Sequence, residues 1–145
     1  MCLSENFPKY AVRTGVAVGA GIALWQAFGP GSGSRGQAVA VSVPALSPQA
    51  SDGQVAFDAN CAACHGASAA GSDRGPPLVH DIYNPGHHGD NAFFVAAQRG
   101  VPAHHWRFGN MPPQPQVSDS EIQAIVQYVR ELQLANGISW KPHAM

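Results

Sequence analysis

The residues best suited to carry chemistry are Cys61, Cys64 and His65, which lie in the pentapeptide Cys-Ala-Ala-Cys-His. This C-x-x-C-H pattern is the one through which c-type haem is attached to a protein chain. On a helical turn the sulfurs at positions i and i+3 share one face, so both can add to the vinyl groups of a haem, and the adjacent histidine directs an imidazole at the iron. The motif predicts one covalently bound haem c, held by two thioethers, with His65 as an iron ligand.

Other uses of a closely spaced cysteine pair agree less well with the sequence. A thioredoxin-like pair would need a preceding strand and a βαβ context, which the sequence does not indicate. A zinc site would need two more ligands at regular spacing, but fifteen residues separate Cys64 from His80. A disulfide across so short a loop would constrain almost nothing, and Cys2 makes the cysteine count odd. Haem attachment is therefore favoured, with zinc and thiol chemistry as the alternatives.

Met111 is the candidate for the sixth iron ligand, because it is the only methionine away from the chain ends. Two prolines follow it and stiffen its loop. A thioether is a soft ligand that favours ferrous iron, so a His65/Met111 pair would raise the reduction potential relative to a harder pair. Two alternatives stay open: a methionine that only fills the core, or a histidine ligand, His104 or His105, in place of Met111.

Four histidines form two pairs downstream of the haem motif: His87, His88, His104 and His105. Imidazole suits copper and zinc, so these side chains could form a second metal site, although loop histidines more often face solvent or bond the backbone. The second pair leads into Trp106, Arg107 and Phe108. We expect the two aromatic rings to wall the haem pocket and Arg107 to neutralise a haem propionate. The alternative is ordinary packing with a solvated arginine.

The clearest element is a C-terminal helix predicted over residues 119–135. Ser118 and Glu121 form a capping box before it, and Asn136-Gly137 is a stop signal after it. Apolar residues follow at helical spacing, namely Ile122, Ile125, Val126, Val129 and Leu132. This stripe predicts a helix with one face in the core.

Two other helices are predicted. One covers residues 90–99, capped by Asp90 or Asn91 and ended by Gly100. Its inward residues would be Phe93, Phe94 and Ala97. The other begins with Asp52 as its cap and runs into the haem motif. No strand pattern or internal repeat is comparably strong, so the fold class is all-α with long loops.

The chain has 145 residues, enough for one domain with tails. Residues 1–35 are predicted to be an export signal or an N-terminal membrane anchor, because basic residues precede the uncharged stretch 14–28. That stretch falls short of the roughly 20 residues that span a bilayer comfortably, which favours cleavage over a permanent tether. The remaining predicted divisions are a flexible linker at 36–51, a domain at 52–136 and a C-terminal tail at 137–145.

Charge is divided unevenly along the chain. Residues 1–35 carry three basic side chains and one acid, a net +2, whereas residues 50–135 carry eight acids and four arginines, a net −4. A chain with eight Lys and Arg against nine Asp and Glu is not a strongly basic nucleic-acid binder. The acidic domain favours a partner with a basic docking face.

Residues 52–136 resemble the class I cytochromes c. The likeness rests on Gly53, Phe57 and Tyr128 in the predicted helices, and on the segments Gly75-Pro76-Pro77-Leu78 and Gly109-Asn110-Met111-Pro112 in the loops. It implies an all-α cytochrome c fold, in which the N- and C-terminal helices pack across each other and loops wrap one haem. It also implies that the Pro76 carbonyl accepts the Nδ1 hydrogen of His65, that Leu78 lines the pocket, and that Met111 is the sixth ligand.

The resemblance implies a monohaem electron carrier rather than an enzyme, passing single electrons between redox protein partners. Two alternatives are a haem-bearing subunit of a larger oxidoreductase and a haem-based sensor in which Met111 gives way to a gas. Because thioether attachment is made outside the cytoplasm, a bacterial periplasmic location is expected, either soluble or anchored through residues 14–28. No nucleic-acid partner is expected, and outside any complex the protein would be a monomer.

Overall fold

The computed structural model describes residues 38–142, which lie within one unit of the chain, Ser34–Met145. Four α-helices occur in this range: α1 (Pro48–Asn60), α2 (Ala62–His65), α3 (Asp90–Arg99) and α4 (Asp119–Ala135). Single 3₁₀ turns occupy Ala67–Ala69 and Asp81–Tyr83. The described part of the chain contains no strand, only an isolated antiparallel bridge between Val101 and Met111. The predicted all-α class is confirmed.

Helix α4 follows the sequence prediction from end to end. The Ser118 hydroxyl accepts from the backbone of Glu121, whose carboxylate in turn accepts from the Ser118 backbone at 2.8 Å. All five apolar residues predicted for the inner face are buried: Ile122, Ile125, Val126, Val129 and Leu132. Two further residues of the helix, Tyr128 and Gln133, are also buried. Local capping and one apolar stripe therefore determine this helix.

Helix α1 begins five residues before the predicted start. Its N-cap is Ser47, whose hydroxyl accepts from the Ala50 amide, and Pro48 occupies the first helical position. A serine followed by proline suits a helix start, because the serine satisfies an unpaired amide and proline has none to satisfy. Asp52 therefore lies exposed inside the helix, and the prediction that it caps α1 is wrong.

Helices α1 and α4 pack directly against each other. Gly53 lies so close to α4 that a Cβ added there would stand 1.9 Å from the Ala124 carbonyl oxygen. One turn along, the Phe57 and Tyr128 rings meet at a tilt, with centroids 5.6 Å apart, and both side chains are fully buried. The packing of the N- and C-terminal helices, expected from the resemblance, is confirmed, and glycine is what allows the close approach.

Helix α3 has the predicted bounds and faces the core through the predicted residues, Phe93, Phe94 and Ala97. Its cap differs from the prediction, because the N-cap is Gly89 and no side chain caps the helix. Asp90 instead forms an ion pair with Arg130 of α4 at 2.8 Å. The helix ends at Gly100, which has a positive φ of 75° that favours glycine.

The described residues on either side of the predicted domain also pack onto it. The Val39 amide donates to the Ala70 carbonyl at 2.8 Å, and Ser42 exchanges two 2.8 Å hydrogen bonds with the Asn136 side chain. Beyond α4, Ile138 is buried and Lys141 pairs with Asp81. The predicted export signal or anchor at 1–35 lies outside the described residues. Within 38–142, no helix has both the length and the apolarity that crossing a membrane requires.

Candidate functional site

The Cys-x-x-Cys-His segment forms the short turn that follows α1. Cys61 ends α1 and begins α2, and the His65 amide donates to the Cys61 carbonyl at 2.9 Å. The Ser72 hydroxyl braces the turn by donating to the Cys64 carbonyl at 2.6 Å. A Cβ at Gly75 would stand 2.8 Å from that same oxygen, so glycine allows the next loop to lie against the turn. The motif is therefore held on a helical turn, as its chemistry requires.

The His65 imidazole is buried and oriented by the loop that follows. Its Nδ1 lies 2.8 Å from the Pro76 carbonyl oxygen, to which only a protonated Nδ1 can donate. The lone pair is then on Nε2, the tautomer suited to binding iron. Burial lowers the pKa of His65, against a smaller opposing effect of the Pro76 bond. The fold therefore favours the neutral form of His65 and the tautomer that leaves Nε2 free to bind a metal.

The environment of Cys61 argues against thiolate chemistry. Burial, with a smaller contribution from the neighbouring Cys64, raises the pKa of the Cys61 thiol to about 11. Redox-active cysteines have lowered pKa values instead, because the thiolate is the reactive form. The thioredoxin-like interpretation of the motif therefore loses support.

A cavity that is partly open to solvent lies beside the motif. Most of its lining is apolar and comes from all four helices and the loops between them. Seven residues predicted for the haem site line it: Cys61, His65, Pro76, Leu78, Trp106, Phe108 and Met111. Two do not, because Cys64 and Arg107 are exposed and lie outside the lining. The fold thus brings both candidate iron ligands to one apolar space.

Met111 is held at the cavity by a closed loop. It exchanges backbone hydrogen bonds of 3.0 and 2.9 Å with Val101, so residues 101–111 form a loop tied at its base. A Cβ at Gly100 would stand 2.5 Å from the Met111 carbonyl oxygen, which makes this junction tight. Inside the loop, the Asn110 side chain accepts from the Ala103 amide. The position of the methionine is therefore set by backbone bonds.

Trp106 supplies a polar group that suits a haem. Its indole Nε1 is buried and makes no hydrogen bond of normal geometry. An unsatisfied buried donor costs about 1–3 kcal/mol, so a native fold normally provides an acceptor for it. A haem carboxylate is such an acceptor. The apolar cavity, the oriented His65, the thioether face of Met111 and this donor together fit a haem.

Sequence reasoning missed two side chains that hold the cavity walls in place. Gln133 is 1% exposed, and its amide donates to the carbonyls of Leu78 and Tyr83 at 2.8 and 3.1 Å. Arg130 donates to the carbonyls of Tyr83 and His88 at 2.7 and 2.6 Å, besides pairing with Asp90 and bonding Gln133. Its guanidinium also lies 5.0 Å above the Phe93 ring. Nothing in the helical pattern of α4 marks these positions, because the carbonyls that they bind are more than forty residues away.

The two histidine pairs, separate in sequence, meet at this cavity. His88, His104 and His105 line it, and His87 stacks on His88 with ring centroids 4.4 Å apart. His80 lies edge-on to Trp106 at 5.0 Å, and its Nδ1 accepts from the Ile82 amide.

Comparison with known proteins gives one match. A family model described as Cytochrome c matches residues 50–133, which is 84 of the 145 residues. No curated protein and no solved structure matches the chain. The matched range runs from the first turn of α1 to the last turn of α4, and so contains every candidate haem-site residue.

Proposed function

The chain belongs to the cytochrome c family, whose members transfer electrons through a covalently bound haem, and we propose that this one is a monohaem carrier in which His65 and Met111 would hold the iron. One observation carries the proposal: an imidazole with its Nε2 lone pair available and a loop-held thioether line the same apolar cavity, beside the cysteine motif. A haem bound there supplies one-electron chemistry between ferrous and ferric iron.

The residues of this chain would serve electron transfer by resisting rearrangement. Pro76 fixes the His65 ring through Nδ1, and the Val101 bridge fixes the backbone of Met111. The apolar lining keeps water from the iron, and Trp106 offers a donor to a propionate. A ligand sphere that stays in place on oxidation and reduction needs little reorganisation, which suits a carrier better than a ligand-exchanging site.

Location and partners follow from charge and from the chemistry of attachment. We propose a periplasmic protein, because thioether attachment takes place outside the cytoplasm and the first 35 residues have the order of an export signal. Its partners would be a donor and an acceptor protein, met through small transient interfaces. The net charge of −4 over residues 50–135 supports docking to a basic face.

The test is the visible and near-infrared spectrum of the haem-loaded protein, oxidised and reduced, with Met111→Ala beside it. We expect a thioether-to-iron band in the oxidised wild type that Met111→Ala loses, while His104→Ala and His105→Ala keep it. If Met111→Ala matches the wild type and one histidine variant changes instead, bis-histidine ligation replaces the proposal. Carbon monoxide binding to the reduced wild type would favour a ligand sensor.

A further inference from the structure

Three histidines at the rim of the cavity, His87, His88 and His105, lie close together. One ring nitrogen from each of His87, His88 and His105 lies within 4.8 Å of the other two. The His87 and His88 rings are parallel, with an interplanar angle of 5°, and the His105 ring meets both edge-on with centroids 5.1 Å away. Two loops therefore bring one nitrogen from each of three imidazoles into one small region.

The backbone also prepares nitrogen lone pairs in this cluster. His88 Nδ1 lies 2.8 Å from the Ile82 carbonyl oxygen, and His104 Nδ1, next to the cluster, lies 2.8 Å from the Pro102 carbonyl oxygen. Each carbonyl can only accept, so each Nδ1 carries the hydrogen and each Nε2 carries the lone pair. A metal-binding histidine typically donates its second ring nitrogen to a carbonyl or carboxylate in this way.

The charges near the cluster allow a cation to approach. Arg130 donates to the His88 carbonyl at 2.6 Å. Its charge is offset by Asp90, whose carboxylate lies 2.8 Å from the guanidinium. His87 and His88 are half-buried and His105 is exposed, so an ion could reach the site from solvent.

We propose that His87, His88 and His105 bind a divalent transition-metal ion at the rim of the haem cavity. The donor set contains only imidazole nitrogens, which suits zinc, copper or nickel and does not suit magnesium or calcium. Three histidines with one position left for water is a coordination set that zinc adopts. This site shares no residue with the proposed iron ligands, His65 and Met111.

The test is calorimetric titration of tag-free, chelator-washed holoprotein with zinc chloride. We expect one zinc ion per chain, and at least a tenfold loss of affinity in each of His87→Asn, His88→Asn and His105→Asn. His80→Asn is the matched control, because it also removes a nearby imidazole but keeps a side-chain oxygen that can accept from the Ile82 amide. Unchanged affinity in the three cluster variants, or equal loss in the control, would overturn the proposal.

A second measurement on the wild type avoids the risk that a variant misfolds. X-ray absorption at the zinc edge should show three imidazole nitrogens at about 2.0 Å from the ion. Fewer than two imidazoles, or no stoichiometric zinc after washing away excess, would contradict the site. Titration with copper under the same conditions should give tighter binding than zinc and the same dependence on the three histidines, since copper binds nitrogen donors more strongly.

Discussion

The close approach of α1 to α4 at Gly53 makes Gly53→Ala a severe test of the helix packing. The added methyl would stand 1.9 Å from the Ala124 carbonyl oxygen, 2.4 Å from its carbon and 2.9 Å from the Ile125 amide nitrogen. All three atoms belong to the backbone of α4, so no side chain can rotate away. Ordinary contact begins at 3.4 Å, so α1 and α4 would have to separate by about 1.5 Å.

The cost follows from what that separation would undo. Phe57 and Tyr128, both fully buried, pack across the same crossing, and a gap there leaves their rings without neighbours. Losses of this kind, like large cavities in a core, cost about 3–5 kcal/mol. Since small domains have only about 5–15 kcal/mol of stability, Gly53→Ala should remove a large part of it.

Gly137→Ala is the matched control. Gly137 has a positive φ of 79° but nothing within 4 Å of an added Cβ, so the same substitution costs only backbone strain, about 1–2 kcal/mol. The assay is the free energy of unfolding of both holoproteins in urea, followed by far-ultraviolet circular dichroism. If Gly53→Ala loses no more stability than Gly137→Ala, the close packing described for α1 and α4 is incorrect.

Three further results are expected. Arg130→Met should lower the free energy of unfolding by about 2–4 kcal/mol, because it leaves two carbonyls without their charged donor. Asp90→Asn should lower it by under about 1 kcal/mol, because Asp90 is 65% exposed. Equal losses of the two variants in urea unfolding would contradict this expectation. Trp106→Phe should stabilise ferric relative to ferrous iron by about 1 kcal/mol, because a propionate without its hydrogen-bond donor presents more negative charge. The variant should therefore have a lower reduction potential in a redox titration, and an unchanged potential would contradict this expectation. Hydrogen bonds from Gln127 and Ser47 lower the pKa of Glu131, so its stabilising effect is present at neutral pH and is lost as the pH falls through that lowered pKa. The stability difference between wild type and Glu131→Gln in urea unfolding should therefore shrink as the pH falls through the lowered pKa, and a difference that does not change with pH would contradict this.

The sequence predicts those parts of the fold that local signals determine. The capping box and apolar stripe define α4, and the spacing of Cys61, Cys64 and His65 identifies one side of the site without any tertiary information. The predicted start of α1 is wrong because Asp52 and Ser47 are both acceptable caps. What decides between them is Pro48, together with Glu131 of α4, whose carboxylate accepts from the Ser47 hydroxyl at 2.6 Å.

The rest of the site depends on contacts between distant parts of the chain. Arg130 looks like an ordinary charged residue on a helix, yet its carbonyl partners lie 47 and 42 residues away. The histidine pairs show the same limit, because only the fold brings His88 and His105 within reach of each other. Arg107 follows Trp106 in the sequence, but it is exposed and lies outside the cavity lining. Two neighbouring residues of a loop can therefore have different surroundings, which their order in the sequence does not predict.

The loop 101–111 carries the proposed sixth ligand Met111, the candidate propionate donor Trp106 and the metal-cluster residue His105, and so couples the two proposed sites. The loop is tied at its base by the Val101 bridge, and an ion held by His105 would tie its far part to the His87–His88 pair. A divalent cation there disfavours the additional positive charge of ferric iron. Because binding linkage is reciprocal, an ion that stabilises the ferrous state must itself bind more tightly to the reduced protein. The oxidation state of the iron would then set the affinity of the histidine site for its metal ion, through charge and through the loop that the two sites share.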